Sequence, residues 1–331
     1  MNILDCYSSP WRITFETNPD RCNLHCTMCD THSCKCDRSR HGKDERMLPI
    51  APIEKTIRDL SKLGLKEVIP STMGEPLLYP HFERMLEVIK ECGVKLNLTT
   101  NGTFPLKGVD AWSELILPIA SDVKISMNGS KAEVAESIMA GLDFEKQIDN
   151  ATRFIAHRDE YREQGLNPTV TMQPTFMRSN LEDLPSMLEM AIDMDFDRFK
   201  GHHVWITNQA MEQETLRVPE FIDRWNDTVD ELYRIAGNRI KLANVSKICE
   251  STLQQSSGVC PFLGREAWVE HDGTFQVCCC PSEERAKFGD FGNINNKVFI
   301  DLWDSPRYRD FVDGWGDYEP CSHCNMRVES R

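Results

Sequence analysis

Apolar positions in this chain recur with a helical period and then a strand period, twice in succession, between residues 52 and 102. Ile53, Ile57 and Leu60 share one helix face and Gly64 stands where that helix must stop. Lys66 to Ile69 then reads as a strand running into Pro70 and the turn Met73-Gly74-Glu75-Pro76. Phe82, Met85, Leu86 and Ile89 form a second stripe ending at Gly93, and Val94 to Thr99 alternates as a strand that finishes at Thr100-Asn101-Gly102. Repeated helix-then-strand units predict an α/β fold on a parallel sheet or barrel. Asp122 to Met127, Thr169 to Gln173 and Phe199 to Ile206 add strands, while Leu181 to Met194 and Ile222 to Ile235 add helices. With Arg12 to Glu16 the strands number six, which predicts a partial (β/α)6 TIM barrel in place of the full eight. The active site is expected at the C-terminal strand ends, where Glu16, Glu75, Thr100, Asn101, Ser126 and Gln173 fall.

Length and composition refine this picture without changing it. A chain of 331 residues with 40% hydrophobic side chains can bury one large core and a smaller appended unit. The helix stopping at Gly237 and the cysteine-rich stretch beyond it place the division at 1–240 and 241–331. No internal repeat or low-complexity linker interrupts either part. The first residues lack a basic and then apolar signal segment, and no 18 apolar residues run together, so a cytoplasmic, non-membrane protein is expected. Fourteen cysteines in such a chain fit thiolate ligation better than a disulfide framework. A net charge of −14 repels nucleic-acid phosphates and anionic membranes and favours cationic partners, or serves solubility alone.

Half of the cysteines fall into two groups. Cys22, Cys26 and Cys29 share one short loop after the first strand, so three thiolates can hold three irons of a cubane and leave the fourth open to a reacting ligand. A closed zinc site would instead take a fourth ligand from His25, Cys34 or Cys36. The spacing resembles the signature loop of the radical S-adenosylmethionine (SAM) superfamily, in which a [4Fe-4S] cluster binds SAM at its unique iron. Met73-Gly74-Glu75-Pro76 is similar to that family's Gly-Gly-Glu-Pro element, with Met73 in place of the first glycine. By this resemblance Gly74 and Glu75 receive the SAM ammonium, and Asn101, Ser126 and Gln173 stand where the family contacts SAM ribose or carboxylate. The second group is Cys260, Cys278 and the Cys321-x₂-Cys324 pair, with Gly273 between the first two. It resembles the twitch form of the SPASM extension, a β-hairpin and helix carrying one auxiliary [4Fe-4S] cluster, with Asp272-Gly273-Thr274 as the hairpin turn. Glycine spacing favours Cys278 over Cys279 and Cys280, and a closed Cys₄ zinc ribbon stays open as the other reading. Two clusters in total and SAM are the cofactors implied.

Of the remaining thiols, Cys92 continues a helix stripe, Cys34 and Cys36 lie in a polar loop, Cys6 carries no reading of its own, and Cys249 falls where the two units meet. The whole layout resembles radical SAM epimerases of aminoglycoside biosynthesis, the type that converts neomycin C to neomycin B. That resemblance implies a 5′-deoxyadenosyl radical taking hydrogen from a sugar carbon, Cys249 returning hydrogen to the opposite face, and a flavodoxin- or ferredoxin-like electron donor. A polycationic aminoglycoside would suit the acidic composition, with Glu16 and Glu250 as candidate contacts and His202 and His203 as further ones. The alternatives are a twitch-type dehydrogenase of an aminocyclitol, which needs no thiol donor, and a maturase of ribosomal peptides. Few residues precede Arg12, which is expected to leave no room for a peptide-recognition domain. From a different class, a non-catalytic zinc protein would use both cysteine groups for structure alone.

Overall fold

The computed structural model describes residues 8–34, 45–70, 73–206, 209–250, 258–280, 282–322, 324, 326 and 327. Cys6 and Cys36 lie outside them. The chain folds into an α/β structure on a nine-stranded sheet. The first five strands are β1 (Arg12–Phe15), β2 (Glu67–Ile69), β3 (Lys95–Thr100), β4 (Ala120–Ser126) and β5 (Thr169–Gln173). They lie side by side in chain order and all run parallel. Two residues past β5, β6 (Thr175–Phe176) leaves this sheet, and β7 (Arg198–Lys200) continues it. Then β8 (His202–His203) pairs with β6 in a separate two-stranded sheet, and β9 (Lys241–Ala243) closes one edge of the main sheet. At the opposite edge β10 (Glu266–Val269) pairs parallel to β1, and β11 (Phe275–Gln276) turns back antiparallel to it. The sheet is therefore open, with β9 and β11 at its edges.

Helices α1 (Ile50–Ser61) and α2 (Phe82–Glu91) bury the stripes that their sequences present, Ile53, Ile57 and Leu60 in one and Phe82, Met85, Leu86 and Ile89 in the other. Gly64 and Gly93 then adopt the left-handed backbone that ends each turn, at φ of 110° and 65°. Between β3 and β5 lie helices with no counterpart in the sequence pattern: α3 (Gly108–Ile116), α4 (Ala132–Ile138) and α5 (Phe144–Glu163). The buried face of α5 includes Gln147, Asn150 and Arg158 as well as Phe154 and Ile155, so its apolar period is broken. Those polar residues hold strand ends. Gln147 Nε2 donates to the carbonyls of Asn101 and Ser126, and Asn150 Nδ2 to those of Gly102 and Thr103. Arg158, 2% exposed, bridges to Asp197 and the Asp195 carbonyl.

The helix expected from Leu181 begins as a 3₁₀ turn, Arg178–Asp183, and becomes α6 (Leu184–Asp193). Beyond it lie α7 (Gln209–Glu212) and α8 (Pro219–Ala236), which Gly237 ends. The strand expected over Phe199 to Ile206 is cut in two at Gly201. A Cβ there would lie 1.9 Å from the Phe176 ring, so glycine lets the chain pass that ring and join β6.

One face of the sheet is apolar and covered by helices, as Ile13, Phe15, Val68, Leu96, Leu98, Val123, Ile125 and Val170 are buried. The opposite face is polar. Arg12 bridges Glu67 and Glu266 across three strands, Asn97 donates to Glu67 and accepts from Lys124, and Asp122 accepts from Thr169, Thr171 and Arg198. A full eight-stranded barrel fills this space with branched apolar layers. Here bonded charges replace them, and burial pulls the Lys124 ammonium down to about 8.

The C-terminal hairpin is locked to the end of β1 by an ion pair. His271 Nδ1 bonds the Glu16 carboxylate at 2.8 Å, and the His271 backbone N–H donates to the same oxygen. The bond to Glu16 raises the His271 imidazolium above its ordinary range. Burial pushes the Glu16 carboxyl up, but the bond from His271 and the field of Arg285 carry it below the usual range. The histidine contribution is fully present below its unfolded pKa of about 6.5 and fades as pH rises through the raised value; the glutamate contribution fades only in acid, below about 4.3. His271→Gln should therefore cost about 1 kcal/mol near pH 5.5 and progressively less towards pH 9. Thermal unfolding of both proteins across that range checks it, and a pH-independent difference would contradict it.

Candidate active site

The loop after β1 is fixed from three sides before any cofactor is considered. Glu75 N–H donates to the Arg21 carbonyl at 2.7 Å, and Asn18 Nδ2 to the Glu75 carbonyl at 2.9 Å, which ties the loop to the turn after β2. His25 and Thr27 N–H donate to the Ala140 and Ile138 carbonyls, both at 2.8 Å, which ties it to the end of α4. His32 bonds the Pro19 carbonyl at 2.7 Å and closes the loop upon itself. Leu24 packs beneath among Ala135, Ile138, Met139 and Phe144. Gly74 is obligatory at the first of these contacts, since a Cβ would lie 2.2 Å from the Asn18 carbonyl oxygen and 2.3 Å from that of Arg21.

This loop, the turn and the C-terminal strand ends enclose a cavity of about 270 Å³. Its lining includes Cys22, Cys26 and Cys29 together with Gly74, Glu75, Asn101, Ser126 and Gln173, so one space gathers residues from the loop, the turn and three strands. Burial pushes the Cys26 thiol up to about 12 and the Cys29 thiol to about 11, and raises Cys22 as well. Three desolvated sulfurs this close to one another can ionise only beside a cation, which is what a ligated iron cluster provides. Backbone N–H groups already point at two of them, Leu24 at Cys22 and His32 at Cys29.

Glu75 is fully buried, and its carboxylate accepts from Leu77 N–H, Thr100 Oγ1 and Asn101 N–H at 3.3, 2.7 and 2.8 Å. Burial nonetheless raises it to about 7. These bonds fix the β3 end against the turn. Asn101 Nδ2 reaches Asn23 Oδ1 at 3.0 Å and, more distantly, the Cys22 sulfur. Sequence reasoning found His202 but missed other lining residues, among them Asn128, Thr175 and Trp205. Thr175 N–H donates to Asn128 Oδ1, each two residues past the strand end marked by Gln173 or Ser126 and so outside the alternating pattern that revealed those two.

The other expected contacts sit elsewhere. Glu16 is held by His271 at the hairpin. His202 lines the cavity, but His203 turns into the rings of Phe176 and Trp225. Cys249 and Glu250 are exposed, and neither is among the residues lining the cavity. Of the candidate zinc ligands, His25 contacts the His32 carbonyl and Cys34 is exposed.

In the second group, Cys260, Cys278, Cys321 and Cys324 lie near enough to repel one another electrostatically. The Gly273 turn that carries the hairpin has φ of 88°, and Asp272 Oδ1 accepts from Thr274 N–H. Among the described residues, no three Cys, His, Asp or Glu side chains converge on a single metal ion. Zinc–thiolate bonds of about 2.3 Å would bring sulfurs to about 3.8 Å from one another. A cubane, with one thiolate per iron, spreads its ligands over a wider cage.

Two family models match the chain. The radical SAM superfamily matches residues 19–191, and the SPASM iron-sulfur cluster-binding domain matches residues 260–325. A tungsten-containing aldehyde ferredoxin oxidoreductase cofactor-modifying protein of Pyrococcus furiosus is 25% identical over 93% of this chain and 85% of its own length. The PqqA peptide cyclase of Bradyrhizobium diazoefficiens is 24% identical over 93% of this chain and 77% of its own. Among solved structures, Streptococcus suis SuiB bound to S-adenosylmethionine superposes with a TM-score of 0.66 at 15% identity, covering 97% of this chain and 73% of that one. SuiB bound to its precursor peptide SuiA gives 0.65 at 16%, covering 92% and 67%.

Gly74→Ala should push the turn off the cysteine loop at a cost of ~1–3 kcal/mol. Anaerobic iron analysis is expected to fall from about eight to about four per chain, with the auxiliary group intact. Unchanged iron content would show that the loop tolerates the separation.

Proposed function

This chain belongs to the radical SAM superfamily, with a C-terminal SPASM iron-sulfur domain, and from that premise we propose that it is a maturase of ribosomally made peptides. Its cofactors are SAM and two [4Fe-4S] clusters, one SAM-binding and one auxiliary. When bound, the reduced first cluster and SAM together supply a carbon-centred radical able to take hydrogen from an unactivated C–H bond. Cys22, Cys26 and Cys29 would ligate three irons of that cluster, and Cys260, Cys278, Cys321 and Cys324 the auxiliary one. Gly74, Glu75, Asn101, Ser126 and Gln173 would orient SAM. In this reading the open, chain-ordered sheet is a partial barrel, residues 1–240 hold SAM, and 241–331 carry the auxiliary cluster. A flavodoxin- or ferredoxin-like carrier would deliver electrons.

The composition of the cavity carries the choice of substrate. A polycationic aminoglycoside calls for carboxylates at the mouth, yet among the described residues the acidic lining side chains are Asp30 and Glu75, and in this reading Glu75 is committed to SAM. Beyond the groups assigned to SAM, the lining combines apolar side chains, Met28, Met73, Met139, Val204 and Trp205, with the amide of Asn128 and the hydroxyl of Thr175. Such walls suit an amide backbone with apolar side chains. Named function points the same way, since peptide cyclases align over most of this chain. Epimerisation of an aminoglycoside, expected from the cysteine layout, has no such support, and Cys249 is exposed and is not among the residues lining the cavity.

The test is anaerobic SAM cleavage by the reconstituted chain with pooled synthetic precursor-type peptides, set against neomycin-class aminoglycosides. Peptides should stimulate 5′-deoxyadenosine formation and emerge with altered mass, while aminoglycosides leave the basal rate unchanged. Stimulation by an aminoglycoside, with solvent hydrogen at one inverted carbon, would overturn the peptide assignment.

A further inference from the structure

The three consecutive cysteines 278–280 do not share one environment. Cys278 lies with Cys260, Cys321 and Cys324 in the auxiliary group. Cys279 and Cys280, one and two residues on, line the cavity that also holds Cys22, Cys26 and Cys29. Their two thiols remain within hydrogen-bonding reach of the Cys278 sulfur. The run is held in place by a buried cation, because Arg285, 8% exposed, donates from Nε to the Cys280 carbonyl at 2.6 Å and from its terminal nitrogen to Glu270 at 3.0 Å. Backbone fixed so close to the hairpin leaves these thiols little freedom to leave the cavity wall.

An S–H bond is weaker than an unactivated C–H bond, such as that of an aliphatic side chain or of the 5′-carbon of deoxyadenosine, so a thiol facing such a carbon radical passes its hydrogen downhill. We propose that the Cys279–Cys280 pair, and not Cys249, is the hydrogen-atom donor of the reaction cavity. This rests on the radical SAM reading and deepens it by naming how the substrate radical is closed. In the step, one S–H bond breaks homolytically, a C–H bond forms, and a thiyl is left on sulfur. One electron from an external one-electron carrier of the ferredoxin or flavodoxin class and one solvent proton would restore the thiol, and a cluster held in part by Cys278 would lie beside the pair on that route.

Two measurements test this without knowledge of the substrate. With SAM and dithionite but no peptide, run anaerobically in deuterated water, the radical should take deuterium from the exchanged thiols. Wild-type 5′-deoxyadenosine is then expected to carry one deuterium, the Cys279→Ala/Cys280→Ala double variant to lose it, and Cys249→Ala to keep it. Separately, with no reductant present, SAM should protect Cys279 and Cys280 from iodoacetamide as read by peptide mass spectrometry, and the double variant should retain about eight irons. The proposal is overturned if SAM is cleaved but the double variant still yields deuterated product, if SAM gives no protection, or if iron falls to about four. Absence of both iron and SAM cleavage in the wild type would instead defeat the radical SAM reading itself.

Discussion

Everything at the reaction end of this molecule depends on two stretches of backbone meeting at Gly74 with no side chain between them. The Asn18 and Arg21 carbonyls occupy the space that a Cβ would need, and the Arg21 carbonyl is also the acceptor for Glu75. The cysteine loop and the turn after β2 are therefore one rigid piece. From there Glu75 extends the rigidity to β3 through Thr100 and Asn101, and Gln147 carries it on to β4 through Ser126. Side chains from four segments are set in place by bonds that involve no cofactor, which is the pre-organisation that radical chemistry requires if the reactive carbon is to meet one C–H bond and no other.

A second link joins the cysteine groups to each other. The C-terminal hairpin is a continuation of the same sheet, with β10 beside β1 and His271 clamped on Glu16. Arg285 sits behind it, fixing Cys280 and Glu270. The auxiliary group is thus referenced to the strand from which the first cysteine loop departs. Position in one unit determines position in the other.

Much of this was legible in the sequence, and the remainder was not for definable reasons. α1, α2, α8 and their stopping glycines could be read because each buries a clean apolar stripe. α5 could not, because Gln147, Asn150 and Arg158 occupy its inner face to serve partners up to 48 residues distant. The strand over Phe199 to Ile206 was drawn too long because the ring that forces a break at Gly201 comes from Phe176. Cysteine spacing within one loop is a local signal, and Cys22, Cys26 and Cys29 line one cavity. The entry of Cys279 and Cys280 into the cavity, and the exposure of Cys249, depend on how a distant hairpin docks, and no local pattern encodes that.

The pairing of β1 with β10 has a consequence for biogenesis. Arg12 and Glu266 are 254 positions apart, so β1 leaves the ribosome long before the strand that covers its outer edge. Closing so long a loop is slow. Until it closes, the adjoining thiols stand on an uncovered flank, open to oxygen and to stray metals, so iron delivery that accompanies synthesis would protect the nascent chain better than delivery after release.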